Sequence, residues 1–130
     1  MRAPYLQPLE LNNPSKPRQW RLLEDYALGG FVAPQGFIFD GASVPKVVWN
    51  VVSPTGILFL PAIFHDFAYR HGLLLSDPDR AEVEVSRRFA DELLRDLALE
   101  LHGDAWRARM RIRTAYRSVR MFGGLSWQGV

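Results

Sequence analysis

Hydrophobic and polar positions divide this chain into two halves of different period. From Trp20 to Asp40 short apolar runs alternate with turn residues. Trp20–Leu28 reads as one strand, and Gly29-Gly30 marks a turn. Phe31-Val32-Ala33 reads as a second strand, followed by a turn at Pro34-Gln35-Gly36. Gly36–Asp40 reads as a short buried strand that runs into the polar loop Gly41-Ala42-Ser43-Val44-Pro45. The pattern predicts two or three antiparallel strands. After residue 60 the period becomes helical. Pro61 suits a first helical position and Gly72 an end. A second helix is expected to start at Ser76 or Asp77, with Pro78 in its first turn, and to stop at Gly103. Its apolar stripe would be Val85, Phe89, Leu93, Leu97 and Leu101. Asp104 is the expected cap of a third helix, with Ala105, Ala108, Ile112, Ala115, Tyr116, Val119 and Phe122 on its inner face and Gly123-Gly124 beyond its end. A short helix over 46–52 is a further expectation.

The fold class that follows is α+β: a small antiparallel N-terminal sheet packed on about three helices. A chain of 130 residues makes one domain of ordinary size. Within it, 1–19 reads as a proline-rich extended arm (Pro4, Pro8, Pro14, Pro17), 20–45 as strands and loop, and 61–122 as helices. The arm lacks the apolar run of a signal peptide. The longest apolar stretch, 56–63, is too short to span a bilayer.

Composition narrows the chemistry. With no cysteine, a disulfide scaffold, a thiolate zinc site and a thiol nucleophile are excluded. The net charge of +2 is too small to announce a nucleic-acid binder. Fourteen of the sixteen basic residues are arginine, and the charges are segregated. Residues 77–100 carry eight acidic against four basic side chains, whereas 104–120 carry six arginines against Asp104. Two such helices side by side are expected to neutralise each other. Arg109, Arg113, Arg117 and Arg120 share one helical face. Arg113, Arg117 and Arg120 could bind a phosphate or an acidic partner, although few aromatic residues interleave there, which argues against nucleic acid.

The candidate chemistry lies in two strings. One is His65-Asp66-Phe67-Ala68-Tyr69-Arg70, on an otherwise apolar helix. Residues four apart share a face, so His65 sits over Tyr69 and Asp66 over Arg70. Neighbours diverge by about 100°, so His65 and Asp66 are not both expected deep in the core. One arrangement has His65 lining a pocket while Asp66 meets Arg70 or a metal. The other string is Asp40-Gly41-Ala42-Ser43, where a carboxylate follows an apolar strand into a small-residue loop. Asp40 could instead make a local turn. No P-loop, dinucleotide fingerprint or nucleophile elbow is present.

These residues carry a resemblance. The ordered set Gly36-Phe37, Asp40, Ala42-Ser43-Val44-Pro45, Trp49, Pro54, His65-Asp66-x-x-Tyr69, Val119-Arg120-x-Phe122-Gly123 and Trp127 resembles a small domain-of-unknown-function family that recurs in tailed-phage and prophage genomes. The resemblance covers most of 30–127 and implies a phage or prophage origin, but no reaction. It also implies an acidic residue just before Arg87-Arg88-Phe89, where this chain has Ser86; Glu82 and Glu84 are the candidates to stand in. Locally, His65-Asp66-x-x-Tyr69 is similar to the active-site helix of secretory phospholipases, in which His activates water and Asp holds calcium.

Two functional expectations follow. In the first, a non-catalytic phage accessory protein acts in the host bacterial cytoplasm or the virion. It binds a phage or host protein, or neighbouring copies, through the arm at Pro4–Leu11, and Asp40, His65 and Asp66 form a polar cluster that locks the fold. In the second, a hydrolase uses His65 as general base. Asp40 and Asp66 then hold calcium or magnesium, and Tyr69 orients a carboxylate.

Overall fold

A computed structural model describes residues 6–8, 19–39 and 57–128, with 6–8 described by backbone alone. In chain order the elements are β1 (Leu6–Pro8), β2 (Trp20–Leu22), β3 (Tyr26–Leu28), β4 (Phe31–Ala33), β5 (Ile38–Phe39), α1 (Phe59–His71), β6 (Leu73–Ser76), β7 (Glu82–Glu84), α2 (Arg87–His102) and α3 (Trp106–Phe122). A single 3₁₀ turn, Gly123–Leu125, follows α3. The expected α+β class is what forms, with two small antiparallel sheets beside three helices. Asp40, Ser43, most of the arm and the short helix expected over 46–52 lie outside the described residues.

The strand expected over Trp20–Leu28 divides at Leu23–Asp25, and its halves join different sheets. β2 is the middle strand of β1-β2-β5, with Trp20 opposite Phe39, while β3 starts the order β3-β4-β6-β7. Asp25 holds the break from a distance. Its Oδ1 accepts from the Gln35 N–H at 2.7 Å, and its Oδ2 pairs with Arg80 at 2.7 Å. The β3–β4 turn is Gly29-Gly30, with φ of +62° and +85°, the left-handed geometry that tight hairpins require. A Cβ on Gly29 would stand 2.5 Å from Leu97 Cδ2, so this hairpin tip sits directly on α2.

The second helix starts later than its sequence signals suggest. Residues 73–84 form the hairpin β6–β7 instead, with cis Pro78 in its turn. Leu75 pairs with Val32 and Leu73 with Glu84. A proline after an aspartate suits a turn as well as a helix start, and here the distant edge of β4 decides between them. α2 begins at Arg87, where Ser86 Oγ accepts the Phe89 N–H at 3.0 Å as an N-cap.

α1 lies in the middle of the molecule, and ten of its thirteen residues are buried. It contributes to both apolar clusters. Towards the sheets, Ile63, Phe64 and Phe67 pack with Leu22, Tyr26, Phe37, Phe39 and Leu74. Towards the other helices, Ala62 and Leu58 pack with Leu94, Ala98, Ile112, Ala115 and Val119. The alanines Ala62, Ala98 and Ala115 let the three helices approach closely. The outer ends of the expected third-helix stripe, Ala105 and Phe122, are exposed. Among the described residues no helix is long and apolar enough to cross a membrane.

Candidate functional site

Because α1 is covered on both sides, His65 and Asp66 are both buried, contrary to the expectation that only one could be. Their divergence around the helix sends them to different neighbours rather than sending one to solvent. Asp66 pairs with Arg70 one turn on, at 3.0 Å. Arg70 also donates from Nη1 to the Ile38 carbonyl at 2.5 Å and lies over the Phe37 ring. This pair therefore ties α1 to β5.

His65 faces α2. Its Nε2 is 2.7 Å from Oδ1 of Asp91, and the Tyr69 hydroxyl donates to the same oxygen at 2.5 Å. The two rings lie against each other with centroids 4.2 Å apart. The other oxygen of Asp91, Oδ2, accepts from Arg120 Nη1 at 2.7 Å and has Arg87 Nη1 at 3.6 Å. Arg87 donates further to the carbonyls of Val119 and Arg120, at 3.0 and 3.3 Å, in the last turn of α3, where a cation also suits the helix dipole. A single carboxylate thus joins α1, α2 and α3.

The C-terminal segment closes on Tyr69. The Trp127 ring meets it edge-on at 5.2 Å, and the Gln128 N–H donates to the Tyr69 carbonyl at 2.8 Å. A Cβ on Gly123 would stand 2.5 Å from the Tyr69 hydroxyl oxygen, so glycine is what lets the end of α3 come this near.

The charge states follow from these contacts. Burial is the largest influence on Asp91 and raises its pKa. The hydrogen bonds from His65, Tyr69 and Arg120 together outweigh burial and hold the carboxyl below its ordinary value. Burial pushes His65 below 6.5 despite the neighbouring carboxylate, and nearby Arg87 adds to the lowering. Burial and the bond to Asp91 push Tyr69 upward. At neutral pH the site is a carboxylate with a neutral imidazole, a phenol and two guanidinium groups. An ionised carboxylate only accepts, so Nε2 carries the imidazole proton and the ring lone pair is on Nδ1.

A pH dependence follows. As pH falls below 6.5 the unfolded chain protonates His65 while the folded chain does not, so folding stability declines with acid. The window opens near 6.5 and extends down to the lowered folded value. In it, this one group contributes a slope of at most about 1.4 kcal/mol per pH unit. Asp91 adds a loss of the same sign at lower pH. Chemical denaturation at several pH values between 5 and 7 checks this: His65→Gln flattens the decline.

Of the residues singled out from sequence, the structure brings His65, Tyr69 and Arg120 together. Asp66 is adjacent but turned to Arg70. Arg113 and Arg117 are exposed, away from the cluster, and among the described residues the expected neutralisation of α2 by α3 reduces to one cross-helix ion pair, Asp91–Arg120. The carboxylate of the cluster is Asp91, which follows Arg87-Arg88-Phe89 rather than preceding it, and position 86 holds no acid. Ser86 caps α2, and Glu82 and Glu84 are exposed on β7. Sequence reasoning missed Asp91 and Arg87. The available signal was an acid on the helical face of Leu94 and Ala98, opposite a His–Tyr pair spaced by four. Among the described residues, no group of three or more histidine, aspartate or glutamate side chains could hold a metal ion. An open cleft of about 500 Å³ beside His71, Glu84 and Ser86 is lined by none of the cluster residues.

The family model for a protein of unknown function, DUF1353, matches residues 19–116, and the chain belongs to that family. No curated protein and no solved structure matches the chain.

Proposed function

From membership of a family whose function is unassigned, we propose that this chain is a small hydrolase in which His65, oriented by Asp91, is the general base. One observation carries the reading: the 2.7 Å contact between His65 Nε2 and the buried Asp91 carboxylate. That contact fixes the tautomer and the ring plane, and it stabilises the imidazolium that forms when Nδ1 takes a proton. Nδ1 removes a proton from water as the water oxygen forms the bond to the substrate's acyl carbon; the bond from that carbon to the alcohol oxygen then breaks, and the leaving oxygen takes the proton back from Nδ1. Tyr69 and Arg120 hold Asp91 as an anion throughout. The local similarity of His65-Asp66-x-x-Tyr69 to phospholipase helices supports an acyl ester as the substrate class. A calcium or magnesium ion bound through Asp66 has to displace the Arg70 guanidinium. The base reading itself depends on no metal.

A second reading is favoured by a specific observation: the side chains of His65 and Asp91 have no exposed surface, so catalysis requires the ring to be uncovered when substrate binds. In this reading the chain is a phage or prophage accessory protein that binds a phage or host protein, in the host cytoplasm or the virion, and the cluster only locks three helices together. Hydrolysis of a p-nitrophenyl acyl ester between pH 5 and 8 separates the two. Under the first reading, kcat/KM rises with pH to a plateau with its midpoint below 6.5. His65→Gln then lowers it by at least about 100-fold in a variant that still unfolds cooperatively. Equal rates for parent and His65→Gln would sink the enzyme and leave the lock.

A further inference from the structure

α3 carries a second feature, on the side facing away from the core. Its inner face is Ile112, Ala115 and Val119. Stepping about 100° per residue, Trp106, Met110, Arg113, Arg117 and Met121 fall on the opposite side. Trp106, Met110 and Met121 are 60%, 59% and 73% exposed. Such side chains in a row on a soluble domain mark an interaction surface. The ridge runs about 22 Å along the helix axis. Past the helix end, Leu125 in the 3₁₀ turn is 98% exposed.

The charge on this ridge has one sign. α3 contains no acidic residue. Arg107, Arg111, Arg113 and Arg117 are all exposed, and among the described residues no carboxylate pairs with Arg111, Arg113 or Arg117. Complementarity therefore requires an anionic partner. The ridge is convex and straight, with apolar side chains at both ends and cations between them. A flat, deformable surface meets such a ridge along its length, whereas a rigid partner needs a matching groove. Arginine stems can lie along apolar material while their head groups stay with phosphates, and tryptophan suits the boundary between head groups and acyl chains.

We propose that the outer ridge of α3 docks the protein on an anionic phospholipid bilayer, with Trp106, Met110 and Met121 entering the interface and Arg113 and Arg117 on lipid phosphates. The attachment is peripheral and weakens with salt.

Co-sedimentation with vesicles tests it. The parent protein binds vesicles of phosphatidylcholine with about 30% phosphatidylglycerol at about 100 mM salt, and binds at least tenfold more weakly to phosphatidylcholine alone or at about 500 mM salt. The double variant Arg113→Gln/Arg117→Gln weakens binding by about tenfold or more, and Trp106→Ala weakens it as well. These side chains are exposed, so the variants keep the parent's unfolding midpoint. His65→Gln binds vesicles like the parent, so the docking surface stands or falls apart from the hydrolase reading. Equal binding to neutral and anionic vesicles, unchanged binding by the double-arginine variant, or no vesicle binding at all overturns the proposal; the last of these assigns the ridge to an acidic protein partner instead.

Discussion

Asp91→Asn lowers the free energy of unfolding by about 3–5 kcal/mol, the range for breaking a buried charge network by neutralising one member. The side chain keeps its size, so lost packing is not the cause. The parent carboxylate accepts from His65, Tyr69 and Arg120 through two oxygens, whereas asparagine keeps one. Turned to Arg120, the asparagine NH2 meets a donor that cannot accept; turned to His65 and Tyr69, it forces the imidazole into its other tautomer and the hydroxyl away. Arg120 and Arg87 lose their counter-charge but are partly exposed and can hydrate, whereas His65 and Tyr69 cannot. Asp91→Leu is worse than Asp91→Asn, because it leaves both His65 and Tyr69 without an acceptor in the core. Urea denaturation at pH 7 measures both. A cost below about 1 kcal/mol for Asp91→Asn, the worth of one ordinary hydrogen bond, would mean that the carboxylate does not join the helices. The size matters, because a domain of this length has only about 5–15 kcal/mol in total.

How much of this could be read from sequence differs from element to element. α1 was legible from Pro61 and Gly72, and it runs over Phe59–His71. Its apolar residues surround the axis, which is also why a histidine and an aspartate side by side could both be buried. The hairpin over 73–84 was not legible as a hairpin. Its strands depend on the edge of β4, some forty residues earlier, and its turn residues also suit a helix start. The hidden carboxylate was missed for a reason of period. A stripe stepped by four, from Val85 to Leu101, drifts about 40° per step around a helix of 3.6 residues per turn. It starts off the buried face and reaches it only at Leu97. That face is Ala90, Asp91, Leu94, Leu97 and Ala98, and Phe89 is 41% exposed. Once the period is corrected, Asp91 is the polar residue on an otherwise apolar face. The arginine ladder failed in the same way: its members share a side of α3, but only Arg120 stands at the edge where α2 can be reached.

The close approach of Gly123 to Tyr69 gives the last expected result, which is a coupling rather than a single value. Gly123→Ala places a methyl 2.5 Å from the Tyr69 hydroxyl oxygen, and the tyrosine has no room to yield. Its hydroxyl is bound to Asp91, His65 lies on one side of its ring, and Trp127 meets it edge-on. Either the end of α3 moves out, carrying Arg120 from Asp91, or the Tyr69–Asp91 bond breaks. Overpacking of this kind costs about 1–3 kcal/mol, and loss of a hydrogen bond to a charged group costs about 1.5–3 kcal/mol. Tyr69→Phe alone incurs the second cost but removes the obstructing atom. In that background the methyl next meets ring carbon at 3.3 Å, a contact that a small shift relieves. Gly123 has a φ of −67°, which alanine adopts without strain, so the substitution even regains about 0.4–1 kcal/mol by restricting the unfolded chain. Gly123→Ala is thus expected to be destabilising in the parent and close to neutral in Tyr69→Phe, with an interaction energy of at least about 1 kcal/mol from a double-mutant cycle. Equal costs in the two backgrounds would place the end of α3 elsewhere.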